Sequence, residues 1–158
     1  MSSFDRRVFL LSLTALAGCG FEPVYAPGSV TRDLRGRIAF LPPSDEEGFA
    51  LVNRLEERLG RPEAADLTLA ASIKIREQAV GFLPDGSISR YNVLGELPWQ
   101  ITDGDTVVLD GREESFTSYS ATSTTVATRA AQRNARERLM VILADRVVTS
   151  IMAQADQI

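Results

Sequence analysis

The sequence contains no histidine and one cysteine, Cys19. Without histidine it lacks the commonest general base and the commonest metal ligand. Without a second cysteine it can close no disulfide within one chain, so stability must come from a packed core. Serine and threonine are plentiful, but no nucleophile-elbow motif accompanies them. The carboxylates offer no acid–base pair. Asp103 and Asp105 flank a turn glycine, and Glu113 and Glu114 are neighbours on a predicted strand, pointing to opposite faces. Asp110 stands apart from both. These gaps argue against an enzyme, a metal centre or a cofactor. A net charge of −4 argues against broad nucleic-acid binding. There is no internal repeat and no sign of a second domain.

Long apolar runs are missing too. The apolar run at residues 8–17 is ten residues long, whereas a spanning helix needs roughly 20. Preceded by Asp5-Arg6-Arg7 and followed by Leu16-Ala17-Gly18-Cys19, it has the form of a secretory h-region with a cleavage site. Leu-Ala-Gly-Cys resembles a bacterial lipobox. That resemblance implies a diacylglyceryl group on the Cys19 sulfur, cleavage of the leader at 1–18, and acylation of the new amine. Two or more acyl chains anchor a protein stably where one does not. Gly20, in place of an aspartate, implies the outer rather than the inner membrane. The Arg6-Arg7 pair also resembles a twin-arginine signal, so general secretory and twin-arginine export both stay open.

Removing 18 residues from 158 leaves a mature chain of 140 with a net charge of about −5, enough for one domain with a sizeable core. Residues 19–35 are rich in Pro, Gly and Ser and read as a lipidated tether to a single domain at 36–158. A short strand is expected at 37–41. Ser44 and Glu47 form a capping box for a helix whose apolar face carries Phe49, Leu51, Val52, Leu55 and Leu59. Gly60 and Pro62 end that helix. Period-two alternation over 66–80 predicts one long strand. Turn residues at 81–86 lead to a second strand over 87–102, where Pro98 suggests an edge position or a bulge. A hairpin at Asp103-Gly104-Asp105 leads to a third strand over 106–120, with a bulge expected at Gly111. A long helix over 125–154 closes the domain. This order predicts an α+β two-layer sandwich: two helices on one face of a four-stranded mixed, mainly antiparallel sheet.

Cys19, Gly20, Phe21, Pro23 and Tyr25, together with this element order, resemble the start and layout of the LptE lipoproteins. The stretches 82–91 and 116–119 are similar as well. The resemblance implies a lipid-anchored plug and assembly partner of the LptD β-barrel, which helps insert lipopolysaccharide into the outer leaflet of the outer membrane. It implies no enzymatic activity. In that family a basic residue near the start of the last helix contacts lipopolysaccharide, and Arg129 matches it best. Arg133 lies one turn on. The family's strand-to-strand loop can carry a basic residue near its tip, but residues 83–86 here carry none. Arg90 and Arg76 are the nearest alternatives. Phe82 and Leu83 are candidate apolar partner contacts. Thr122 and Thr124, in a hydroxyl-rich stretch, suit a polar barrel lumen. The alternative reading is an unrelated periplasm-facing lipoprotein module that binds a small ligand or envelope polymer.

Overall fold

The computed structural model describes residues 34–155 and 158. The leader, Cys19 and most of the tether lie outside the described residues. The elements run β1 (Ile38–Phe40), α1 (Glu46–Leu59), β2 (Leu67–Ala71), β3 (Lys74–Phe82), β4 (Ile88–Asp103), β5 (Thr106–Ser120) and α2 (Thr125–Ala153). The architecture is the expected α+β arrangement, with one strand more than the sequence suggested.

β4 is the middle of the sheet. β5 pairs antiparallel along one side of it, from Asp103↔Thr106 to Arg90↔Ser120. On the other side β3 and β2 lie end to end, β3 from Ile88 to Glu96 and β2 from Trp99 to Asp103. β1 pairs parallel with β2, as a strand that reaches its neighbour through a helix can. Five strands therefore fill four positions across the sheet.

The single strand expected over 66–80 is thus corrected to two, interrupted at Ser72 and Ile73. Pro98 supplies the reason. Its carbonyl accepts from the Ser72 N–H at 3.0 Å, so its edge-directed groups face the β2/β3 side. A proline has no N–H to give there, and the ladder loses a rung. Pro98 therefore sits in a central strand, not at an edge, opposite the place where the neighbouring strand breaks. The bulge expected at Gly111 is also corrected. Gly111 stays in register opposite Trp99, and the shift falls between Ile101 and Thr102, where Val108 is the extra residue. Gly111 is needed for space: a Cβ there would stand 2.6 Å from the Trp99 ring.

α1 starts one residue later than the capping box placed it. Asp45, not Ser44, is the N-cap, and its Oδ1 accepts from the Gly48 N–H at 2.7 Å. Gly60, at φ +85°, ends the helix in a conformation that favours glycine, and its N–H reaches the Glu56 carbonyl. The buried stripe is Gly48, Leu51, Leu55 and Leu59. Phe49, expected on that stripe, is 56% exposed. It follows Gly48 by one residue, a turn of about 100° around the axis.

α2 lies over β4 and β5 and packs beside α1. Val93, Leu97 and Ile101 of β4 are fully buried beneath Leu139, Leu143 and Val147 of α2. Burying one such side chain stabilises by roughly 1.5–3 kcal/mol. Gly95 lets the helix come close, since a Cβ there would stand 2.9 Å from both Leu139 and Leu143. The two helices are tied by Asp145, which accepts from Arg54 at 3.0 Å through both carboxylate oxygens and from Arg58 at 2.8 Å.

Candidate functional site

The β3–β4 hairpin tip, the β5–α2 connection and the start of α2 gather at one end of the molecule. Arg90 pairs with Ser120, and the Ala121 N–H donates to the Ser89 carbonyl at 2.9 Å. This end therefore carries Phe82, Leu83, Arg90, Thr122, Thr124 and Arg129. The opposite end holds the Gly104-Asp105 turn, the start of β1 and the close of α2. Leu34, where the described chain begins, is buried in the core just before β1. β4 separates the two ends by its 16 residues, or about 50 Å at ~3.3 Å per residue.

Phe82 is 64% exposed and Leu83 is 42% exposed. The tip is ordered by its own hydrogen bonds. The Leu83 N–H donates to the Ser87 carbonyl at 2.8 Å, and Asp85 Oδ1 accepts from the Ser87 N–H and hydroxyl. Those two bonds hold the Asp85 carboxyl below its ordinary range. Thr124 caps α2, accepting from the Ala127 N–H at 3.4 Å. Thr122 exchanges a hydrogen bond with Ser120.

The four candidate arginines do not form one patch. Arg129 and Arg133 lie on the exposed side of α2 near its start. The Arg129 side chain makes no hydrogen bond or ion pair among the described residues, and the Arg133 side chain reaches only Glu46, at 4.0 Å. Arg76 and Arg90 lie on the open face of the sheet, away from the helices. There Arg76 shares a row with Leu94 and the exposed Phe116. Of the two pairs, Arg90 and Arg129 share the hairpin-tip end.

A shallow cleft of about 210 Å³ separates the starts of α1 and α2, lined by Glu46, Glu47, Asn53, Arg133, Arg136 and Glu137. Beneath it lies the most connected polar group of the domain, Glu77 of β3. Its carboxylate accepts from Arg136 Nε at 3.1 Å and Nη2 at 2.8 Å, from Gln132 at 2.8 Å and from the Tyr119 hydroxyl at 2.9 Å. Arg136 also donates to Glu47 at 3.0 Å. Burial alone would push the Glu77 carboxyl up, but the bonds from Arg136, Gln132 and Tyr119 outweigh it and hold it low. Burial, and donation to Glu77, push the Tyr119 phenol up to about 12. The Tyr119 ring stacks on Tyr91 at 5.3 Å. This network joins β3, β5, α1 and α2 and fixes the helix that carries Arg129 and Arg133. Sequence reading missed it. The available signal was an acidic residue in the inward phase of Ile75, Glu77 and Ala79.

The two adjacent glutamates of β5 do face opposite ways. Glu113 accepts from the Ser150 hydroxyl at 2.6 Å, and Glu114 pairs with Arg112 on the open face. Among the described residues no group of three or more His, Cys, Asp or Glu could hold a metal ion, and no helix is long and apolar enough to cross a membrane.

A family model described as lipopolysaccharide-assembly, LptE, matches residues 30–151. No curated protein matches the chain by sequence. Among solved structures, a lipoprotein of Caulobacter crescentus is 21% identical with a TM-score of 0.65, over 80% of this chain and 95% of that one. Rare lipoprotein B of Shewanella oneidensis is 14% identical with a TM-score of 0.58, over 74% of this chain and 92% of that one. A minor lipoprotein of Acinetobacter baumannii is 16% identical with a TM-score of 0.55, over 74% and 89%. At these identities the structures speak to the fold, and they share it. The family model covers most of the chain, including every strand, all of α1, and α2 as far as Ile151. The chain belongs to the LptE lipopolysaccharide-assembly family.

Proposed function

We propose that this chain is a lipid-anchored plug and assembly partner of the LptD β-barrel, and that it helps insert lipopolysaccharide into the outer leaflet of the outer membrane. Lipid on Cys19 holds it at the membrane, and the leader at 1–18 is removed on export. LptE proteins are non-enzymatic lipoproteins, and the role proposed here is one of binding and positioning.

The observation that carries the reading is the separation of the two ends. The described chain begins at Leu34, at one end, while Phe82, Leu83, Thr122, Thr124, Arg90 and Arg129 gather about 50 Å away, at ~3.3 Å per residue of β4. A rigid wedge anchored at one end can place the other end deep in a lumen. Hydroxyls and backbone groups of the β5–α2 connection suit the polar interior of such a barrel. Among the described residues the Arg129 side chain has no partner and Arg133 has only Glu46, at 4.0 Å, so both can take phosphate through bidentate hydrogen bonds.

A photo-cross-linking residue at Leu83 tests this in cells. The plug reading expects an adduct with an outer-membrane β-barrel protein from Leu83. The absence of any barrel adduct from Leu83, in cells where the lipoprotein is made and anchored, contradicts it.

A further inference from the structure

Both helices lie on one face of the sheet, and no described element covers the other. On that open face the register sorts side chains into cross-strand rows, and the rows divide by charge. Toward the Gly104 turn, one row holds Lys74, Glu96 and Glu114, the next Arg112 and the next Asp110. These charges answer one another: Glu96 pairs with Lys74 at 3.1 Å and with Arg112, and Arg112 reaches Glu114 at 3.4 Å. Toward the hairpin tip, Arg76 stands beside Leu94 and Phe116, Gln78 beside Asn92 and Ser118, Arg90 beside Ser120, and Phe82 beside Ile88. These rows contain two arginines and no acid. Neither arginine side chain makes a hydrogen bond or ion pair among the described residues. Asp85, in the turn beyond, is taken up by Ser87.

The same rows hold their large apolar side chains out in water. Phe82 and Phe116 are each 64% exposed, and Leu83 follows Phe82 into the turn. A single exposed phenylalanine is ordinary. Exposed aromatics and free cations together, with no acid among them, suit a partner that is anionic at its surface and apolar beneath. A lipid leaflet has that layering. Guanidinium groups take its phosphates, and aromatic rings enter the boundary below them. A second copy of this chain fits less well. In the other half of the face only Asp110 lacks an ion pair among the described residues, so a copy has little free acid to set against Arg76 and Arg90.

We infer that the hairpin-tip half of the open sheet face is a docking surface for an anionic phospholipid leaflet. Arg76 and Arg90 meet lipid phosphates, and Phe82 and Phe116 enter the boundary beneath. The charge division between the two halves of the face carries the inference, and it does not rest on the barrel reading. Two arginines give only a weak surface, each worth about one kcal/mol beside an anionic leaflet. A chain that is also tethered by lipid needs no more, because the anchor keeps the leaflet at high effective concentration.

The test uses the mature chain, residues 19–158, with Cys19→Ala, which removes both the lipid and the one thiol of the sequence. At low salt it is expected to co-sediment with vesicles of phosphatidylcholine and phosphatidylglycerol, and not with phosphatidylcholine alone. Arg76→Ala with Arg90→Ala should weaken that partition by about tenfold or more, and Phe82→Ser with Phe116→Ser by a similar factor. Arg129→Ala with Arg133→Ala, on α2, should change it by less than about threefold, since charge acts only within a Debye length of the surface. A polarity-sensitive dye on Phe116→Cys should shift to the blue on the mixed vesicles, whereas the same dye on Glu137→Cys, between the helices, should not. Every side chain replaced is exposed, and circular dichroism confirms the fold of each variant. No recovery on the mixed vesicles, or equal recovery on both kinds, overturns the inference. So does a loss from the α2 pair as large as that from Arg76 and Arg90, or a chain that buries the Phe116 dye by associating with itself.

Discussion

The Arg136 guanidinium and the Glu77 carboxylate, 59 positions apart in the chain, meet through two hydrogen bonds of 3.1 and 2.8 Å beneath the cleft between the helices. Removing the carboxylate leaves Arg136, Gln132 and the Tyr119 hydroxyl short of an acceptor. Glu77→Ala is therefore expected to destabilise the domain by about 1–3 kcal/mol in urea denaturation. The effect depends on pH. The folded-state pKa of Glu77 lies below its ordinary value of 4.5, so its stabilisation is complete above that value. It is lost as pH falls through the lower folded-state pKa. Glu77→Gln should flatten this acid limb of the stability curve, and an unchanged limb would assign it to other carboxylates.

Trp99 is 3% exposed, and it is the only tryptophan in the sequence. Its indole N–H has no hydrogen-bond partner among the described residues. A Cβ at Gly111 would stand 2.6 Å from the ring, so Gly111→Ala must push the ring aside. The expected cost is about 1–3 kcal/mol, as for other overpacked cores. Tryptophan fluorescence checks it directly: the emission should shift to the red in the folded variant, and an unmoved spectrum would contradict the packing.

The elements whose apolar period is uninterrupted were legible from sequence. β5 and α2 fall where the pattern put them, and so does the stacking of both helices on one face. The failures have local causes. The alternation of Leu67, Leu69, Ala71, Ile73 and Ile75 runs straight through the gap, and the interruption at Ser72 comes from Pro98 in another strand, which a pattern within one segment cannot see. Ser44 and Asp45 are both good caps, and only the geometry of Gly48 chooses between them. Gly111 reads as a bulge in one dimension and as room for Trp99 in three. The candidate site was legible as residues but not as an arrangement. Arg76 and Arg90 separate from Arg129 and Arg133 because alternate strand positions send them to the face away from α2.

Arg129 and Arg133 contribute little to the fold. Arg129→Asp with Arg133→Asp should leave stability within about 0.5 kcal/mol of the parent. The proposed phosphate contacts should nonetheless weaken, and more so at low salt. Lipopolysaccharide binding measured at several salt concentrations checks this, and unchanged binding would remove the α2 patch from the account.

Cys19 lies outside the described residues, in the segment before a core whose described members run from Leu34 to Ala155. Cys19→Ala should abolish palmitate labelling while leaving circular dichroism and the melting transition unchanged. Labelling that persists in the variant would refute the anchor.

The most direct measurement of the central claim is affinity capture of the lipidated chain from detergent-solubilised outer membranes, under conditions that keep barrel complexes whole. The account predicts recovery of a large β-barrel protein in stoichiometric amount with this chain. Recovery of the lipoprotein alone would contradict it.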